Sequence, residues 1–474
     1  MRLLKIPAGV LIVAMLLNAC YKDKGNYSYN TPEAPLVASL DSVYSAIVGD
    51  SLIIDPGIRI SNNANLSMEW RIGGPDLKQD LVLTGKVLRT VFALGANRYF
   101  GRLAVTNNDN GMKYFRNFFV DGKTDFSVGA TVLSMEGTHP QLSFVKNDGS
   151  IRARVYEAIN GEPLPANPFK VLGLIKENLV PRVVRRYWVI ANDGKDGGVE
   201  IDPNNFKKLK TLAGNYFDPP AMLAPGNMMD NPAGTIHGVV DGKFVWGFDQ
   251  TWDQAPVYGM FGVPLEGDYK MSPHFISNYA AGIFYIGYDV NKKAFIRINL
   301  YGTPVLFGTN YETINTANAF DPKNTGLDLI HLTQVNSQNC YAWGRDANGA
   351  LYELRFTVNF NGPFTFTPAY KKLFKQPDLI KANTKWENTN SGIFFFNSGS
   401  KVYRYNPEND TFQALSADFG SQEVTMIKLI DQNTLVAGVE GKLFYLDVRT
   451  GATGNVLKTV EGVPGKPIDL YQRN

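Results

Sequence analysis

The 474 residues carry 47 Lys and Arg against 44 Asp and Glu, a formal net charge of +3, which excludes the basic stripe expected of a nucleic-acid binder. The length is ample for two domains with separate cores. With 45 Gly, 23 Tyr and 29 Phe and few amphipathic helical stretches, the composition points to an all-β chain, because aromatics suit half-buried pleated surfaces and Gly supplies turns.

The chain opens on Met1-Arg-Leu-Leu-Lys5, an apolar run from Ile6 to Leu17, and then Asn18-Ala19-Cys20. A cationic start, a short apolar core and a small residue before the cleavage point predict a signal peptide over residues 1–19. About a dozen apolar residues is too short for a permanent membrane span. The Cys directly after Ala19 makes this a bacterial lipoprotein signal: Cys20 is expected to receive a diacylglycerol and to hold the mature chain on a membrane by lipid. Cys340 is then the one free thiol, in the strand-like run Gln338-Asn-Cys-Tyr-Ala-Trp343, and is expected to be buried and inert.

Residues 20–35 are polar and end on Thr31-Pro-Glu-Ala-Pro35, which reads as a short extended tether. From 36 to 122 the chain alternates like strands, most clearly in Leu66-Ser-Met-Glu-Trp-Arg-Ile72, Arg98-Tyr-Phe-Gly-Arg-Leu-Ala-Val105 and Lys113-Tyr-Phe-Arg-Asn-Phe-Phe-Val120. Six or seven short strands at this spacing suit an immunoglobulin-like β-sandwich, with Trp70 as its central aromatic. The turn Asn107-Asn-Asp-Asn-Gly111 has the oxygens of a calcium loop and the Asn-Gly of a hairpin; the hairpin is the simpler reading.

The remainder, 123–474, repeats. Seven times a turn with Gly or Ser leads into a short aromatic or β-branched strand: at Asp148-Gly149, Gly197, Asp241-Gly242, Gly282, Asn348-Gly349, Gly399-Ser400 and Glu440-Gly441. Several continue into a second shared piece, as in Ile201-Asp-Pro-Asn-Asn-Phe206 and Leu446-Asp-Val-Arg-Thr-Gly451. The mean interval of about 49 residues falls among the periods of four-stranded propeller blades, which stack in a ring to cover both faces of each. Seven blades fit, although intervals from about 40 to about 67 residues leave six or eight open.

At this point the chain resembles the PKD-like lipoproteins of Bacteroidota. The likeness rests on the lipobox, the opening Cys20-Tyr-Lys-Asp-Lys-Gly-Asn-Tyr27 and the sandwich behind it. It implies a PKD-like domain followed by a β-propeller on an outer-membrane lipoprotein, expected at the cell surface. It also implies company: a TonB-dependent transporter with its lid lipoprotein, and a glycan or peptide nutrient as cargo. The family supplies no catalytic residue to carry over.

Three long insertions are candidates for ligand contact. Asn215 to Pro232 is dense in Pro, which argues against a helix or central strand, and offers Tyr216 and an adaptable run of Met. Asp249-Gln-Thr-Trp-Asp-Gln-Ala-Pro-Val-Tyr258 places Trp252 and Tyr258 among polar groups, as a sugar- or peptide-stacking site does. Thr303 to Gly326 lengthens one repeat and carries no assignable chemistry. Trp252, Tyr258 and Tyr216 are therefore the expected ligand contacts.

Catalytic and metal signals are weak. His139, His237, His274 and His331 make no His-x-x-x-His or His-Glu-x-x-His pair, although the last three fall in successive repeats and would meet if all reached the axis. Asn192-Asp-Gly-Lys-Asp-Gly-Gly198 lacks the ligand spacing of an EF-hand and reads as a turn. No nucleophile elbow, phosphate loop or cofactor motif is present. The expected function is non-catalytic capture of a glycan or peptide, or docking on an uptake complex; the competing class is a propeller hydrolase or lyase, marked by paired acids or clustered His on the axis.

Overall fold

The computed structural model describes residues 25, 33–60, 65–74, 77, 79–175, 184–231, 234–248, 259–277, 284–299, 306–307, 312–313, 319–337, 339–359 and 364–473. The expected signal peptide, Cys20, Trp252 and Tyr258 lie outside the described residues. Among the described residues no helix is long and apolar enough to cross a membrane. The chain divides into two compact units, 1–122 and 123–474.

In the first unit a five-stranded antiparallel sheet runs in the order Val43–Ile47, Lys113–Lys123, Arg98–Asn107, Leu66–Gly73, Leu81–Thr84. Ser51–Ile54 pairs with Leu88–Val91 to form the opposing layer. Alternation decides which side chains face inward, since successive residues of a strand point to opposite faces. Met68, Trp70 and Ile72 point in, together with Leu103, Val105, Phe118 and Val120. Trp70 is fully buried, packs edge-on against Phe118 and donates its indole N–H to the Gly85 carbonyl at 2.9 Å. The Asn107–Gly111 turn is a hairpin connection: Gly111 sits at φ 75°, its N–H bonds to the Asn107 carbonyl, and Asn107 Oδ1 accepts from the Asp109 N–H.

The described strands of the second unit form seven sheets. Six are built from consecutive strands. The first joins both ends of the unit, because the last strand, Lys466–Arg473, pairs antiparallel with Gly129–Glu136. Each sheet shares one apolar cluster with the next. Phe144 and Leu142 meet Val189 and Tyr187 between the first and second, Trp188 and Ile190 meet Met228 and Val245 between the second and third, and Phe244 meets Tyr285 and Ile296 between the third and fourth. Phe295 meets Phe356 and Phe366 between the fourth and fifth, Trp343 meets Phe394 and Tyr405 between the fifth and sixth, and Phe395 meets Ala437 and Leu446 between the sixth and seventh. Val436 and Leu443 then meet Val132 and Val145, which returns the ring to the first sheet. The arrangement is propeller-like: each sheet is covered on both faces by its neighbours, and no sheet has to cover itself.

The turn chemistry explains why the repeat was visible. Asp241 (φ 52°) and Gly242 (φ 74°) both take the left-handed conformation, as a two-residue type I′ hairpin between Ile236–Val240 and Lys243–Trp246 requires. The second shared piece is a strand-end turn in which Asp202, Asn406 and Asp447 each accept a hydrogen bond from the backbone N–H two residues on. The repeat does not mark one strand throughout. It leads into the third strand of five sheets, but into the fourth at Ile151–Arg152 and the second at Phe284–Asp289. That shift of frame produces the uneven intervals.

The Pro density of residues 215–232 argued against a helix or central strand, and the strand it contains lies at a sheet edge. The Pro-rich segment 215–232 contains a strand, Pro225–Asp230, the first of the third sheet. Proline is tolerated because it occupies the first position of a strand with no partner on its other side, and the register shifts just after it. Met228, expected on an adaptable surface, is fully buried between sheets.

Candidate functional site

The innermost strands begin at one end of the ring and enclose a cavity of about 910 Å³. Every sheet of the second unit contributes to it: Lys170 from Pro168–Ile175, Asn227 from Pro225–Asp230, His274 just before Ile276–Ser277, and His331 from Asp328–Gln334. Glu387 with Trp386, Lys428, and Asp469 complete the wall from Trp386–Asn388, Met426–Asp431 and Lys466–Arg473. All lie in the first few residues of their strands or in the segments leading into them, so the cavity sits where the chain arrives at the axis. Arg345, at the end of the strand Asn339–Arg345, and Lys381 and Lys385, from the connection before Trp386–Asn388, extend the wall.

The polar groups fall into two sets. In one, the Lys428 ammonium lies 3.3 Å from Asp469 Oδ1 and 4.0 Å from Glu387 Oε1. Asp469 is further fixed by the Val171 N–H, which donates to its Oδ2 at 2.9 Å. Burial raises the Glu387 carboxyl above its ordinary range while Lys428 counteracts this, and the two acids hold Lys428 above the ordinary lysine value despite burial. In the other set, Lys170 donates to Asn227 Oδ1 at 2.6 Å and to the Met228 carbonyl at 2.9 Å. Burial, reinforced by the positive Lys428, brings Lys170 down to about 8.

His274 and His331 meet edge-on with ring centroids 5.3 Å apart. His331 is stacked on Trp386 at 5.3 Å, and Trp386 on Trp343 at 4.7 Å. The indole N–H groups of Trp343 and Trp386 are buried and have no hydrogen-bond partner among the described residues. Burial lowers both imidazoles, His274 to about 4 with help from Lys170, so they are neutral at pH 7. His237 does not join them. It is 2% exposed among Phe244, Phe275 and Tyr285, its ring nitrogens unpartnered among the described residues and its value lowered by burial to about 3. Of the three His in successive repeats, two therefore meet on the axis and one does not. Among the described residues no group of three or more His, Cys, Asp and Glu is placed to hold a metal.

Other sequence candidates take structural places. Tyr216 is half-buried, packs edge-on against Phe261 at 5.0 Å beside the cluster between the second and third sheets, and is not among the cavity residues. Cys340 is fully buried and burial pushes its thiol up, away from reactivity. In the 192–198 turn, Asp193 Oδ1 accepts from the N–H groups of Lys195 and Gly197, so this carboxylate holds the backbone. The strand Glu312–Thr313, from the third insertion, adds in parallel to the outer strand Thr365–Leu373 of the fifth sheet.

The axial residues escaped the sequence reading because each occurs singly. The signal was nonetheless present: one ionisable residue in an otherwise apolar short run, as in Met426-Ile-Lys-Leu429 and Pro467-Ile-Asp-Leu470. Tracking the Gly turns pointed instead to strands farther from the axis.

Several solved structures are similar in part. A quinonprotein alcohol dehydrogenase-like protein from Bacteroides thetaiotaomicron is 13% identical, over 93% of this chain and 99% of that one, with a TM-score of 0.44. The extracellular domain of a putative one-component system from the same organism is 10% identical over 80% and 55%, with a TM-score of 0.37. The WD40 domain of SCAP from fission yeast is 10% identical over 63% and 56%, at 0.28. No curated protein matches the chain. The model of the PKD-like family matches residues 20–168, which extends from the expected lipidation site through the first unit into the start of the second.

Proposed function

We propose that this chain is a lipid-anchored outer-membrane lipoprotein, acylated on Cys20, whose second unit is a seven-bladed propeller that captures a glycan or peptide nutrient at the cell surface without transforming it. In this reading it serves beside a TonB-dependent transporter and its lid lipoprotein, and the PKD-like domain is a spacer. The observation that carries the capture reading is the axial cavity, to which all seven sheets bring polar or aromatic side chains. Its volume is of the order found for small-molecule sites, about 300–1,000 Å³. The test is affinity purification of the tagged, lipidated protein from detergent-solubilised outer membranes. Co-purification of a TonB-dependent barrel with its lid supports the reading; recovery of the protein alone removes the transport context.

A hydrolase or lyase remains the second reading, because two acids, Glu387 and Asp469, stand on the cavity wall. Their surroundings favour capture: both share the charge of Lys428, and Asp469 is also tied to the Val171 backbone. Glycosidic cleavage needs one acid free to give a proton and another free to act opposite it. Product analysis after incubation with polysaccharides and peptides decides: cleavage that disappears in Glu387→Gln overturns capture, and intact substrate supports it.

A further inference from the structure

We propose that the cavity selects ligands carrying carboxylates, recognised through Lys170 at its wall and through Lys381 and Lys385 at its margin; this rests on the capture reading above. The argument is a balance of charges around one space. The acids of the wall are already matched. Glu387 and Asp469 share Lys428, and Asp328 pairs with Lys293 at 2.9 Å. The cations are not. Lys170 has two neutral oxygens as partners, and an ammonium has three donors, so one N–H of Lys170 has no acceptor among the described residues. The Arg345 guanidinium likewise bonds to backbone carbonyls alone, those of Gly349, Pro377 and Ile380. Lys381 and Lys385 are exposed, and neither has an ion pair among the described residues. Four cations without a carboxylate partner thus surround one cavity.

Such an arrangement is costly in the empty protein and is relieved by an anion. A buried cation is disfavoured: burial and the positive Lys428 bring Lys170 down to about 8, while the charges of Asp469, Glu387 and Asp230 oppose that shift without making an ion pair to Lys170 among the described residues. A ligand carboxylate supplies the missing partner and restores the charge-assisted bond. Binding should then take up protons above about pH 8, where part of the Lys170 population is neutral before the ligand arrives. The exposed Lys381 and Lys385 contribute mainly to encounter, since exposed charges are screened by salt.

Carboxylates reach such a site from two sources, hexuronic acids in a glycan or acidic residues in a peptide. The experiment is isothermal titration of the full chain in detergent with trigalacturonate, triglutamate, and the neutral galactotriose and triglutamine amide, at low and high salt. The expected result is that one acidic trimer binds at least about tenfold more tightly than its neutral counterpart, with affinity falling several-fold on raising salt. Trigalacturonate alone identifies a glycan source, triglutamate alone a peptide source, and either supports the inference. Lys170→Met should weaken the acidic trimer about tenfold or more with an unchanged melting curve, whereas the double change Lys381→Gln, Lys385→Gln should cost about two- to fivefold and flatten the salt dependence. Binding of the neutral trimers alone, or undiminished affinity in Lys170→Met, overturns the inference and leaves capture standing. Silence from both acidic trimers at millimolar concentration likewise overturns the inference, while the capture reading is decided by the co-purification.

Discussion

The spaces between sheets and the space on the axis are built from the same strands, yet they are filled in opposite ways. Between the fourth and fifth sheets Phe295, Phe356 and Phe366 lie with centroids 4.3–5.1 Å apart and nothing polar among them. The charge in the next wall is matched: Glu353, 0% exposed, accepts from the hydroxyls of Tyr370 and Tyr405 at 2.7 and 2.5 Å and lies 3.4 Å from Lys372. On the axis, by contrast, Lys170 keeps an unmatched donor beside open space. Unpartnered groups occur in the walls too, among the described residues at His237 and at Arg297 Nε, but there they are enclosed by packed rings, whereas Lys170 borders the cavity.

This contrast can be broken first in a wall. Phe356→Ala removes a fully buried ring from between two sheets and should cost about 3–5 kcal/mol, read as a lower denaturant midpoint with axial ligand affinity per folded molecule unchanged. A loss of affinity at constant stability would instead join the wall to the site.

Acid should expose His237 next. Its folded value of about 3 lies below the ordinary 6.5, so its neutral form contributes stability that is present above pH 6.5 and lost as pH falls toward 3. Between pH 7 and pH 4 this amounts to about 3 kcal/mol. In chemical denaturation as a function of pH, His237→Leu should flatten the slope in that window.

The two axial lysines give the sharpest comparison. Lys428→Met strands Glu387 and Asp469 and should destabilise by about 2 kcal/mol. Lys170→Met strands no acid within ion-pair distance, and its stability should stay within about 0.5 kcal/mol of the parent. Equal melting temperatures for the two variants would dissolve the distinction between matched and unmatched charges.

The smallest effect concerns a turn. Gly242→Ala puts a Cβ where φ is 74° and 2.9 Å from Lys270 Cγ, which should cost about 1 kcal/mol. Asp241→Asn keeps the type I′ preference and should be nearly silent.

Local features were legible because their causes are local. Alternation in Leu66–Ile72 buries Trp70 whatever the rest of the chain does, and Asp241-Gly242 turns the backbone by its own dihedral preferences. The Asp that ends a strand, as at Asp202 and Asp447, captures an N–H two residues away. In the Pro-rich segment the Pro density spoke against a helix or a central strand but could not show an edge strand, because proline's effect depends on which strand edge it faces. At Pro225 that edge has no strand partner, a fact of the sheet and not of the segment.

The sequence by itself therefore determined the all-β class, the hairpins, the core aromatic of the first unit and the existence of a repeat, since each follows from side-chain period and turn dihedrals within a few residues. Only the tertiary structure decided that Lys170, His274, His331, Glu387, Lys428 and Asp469 share one cavity, and that His237 does not reach it. They come from six different sheets, and nothing in a single strand encodes where the ring closes. Closure is a long-range pairing of Lys466–Arg473 with Gly129–Glu136, and it is this pairing that turns isolated charges into a site.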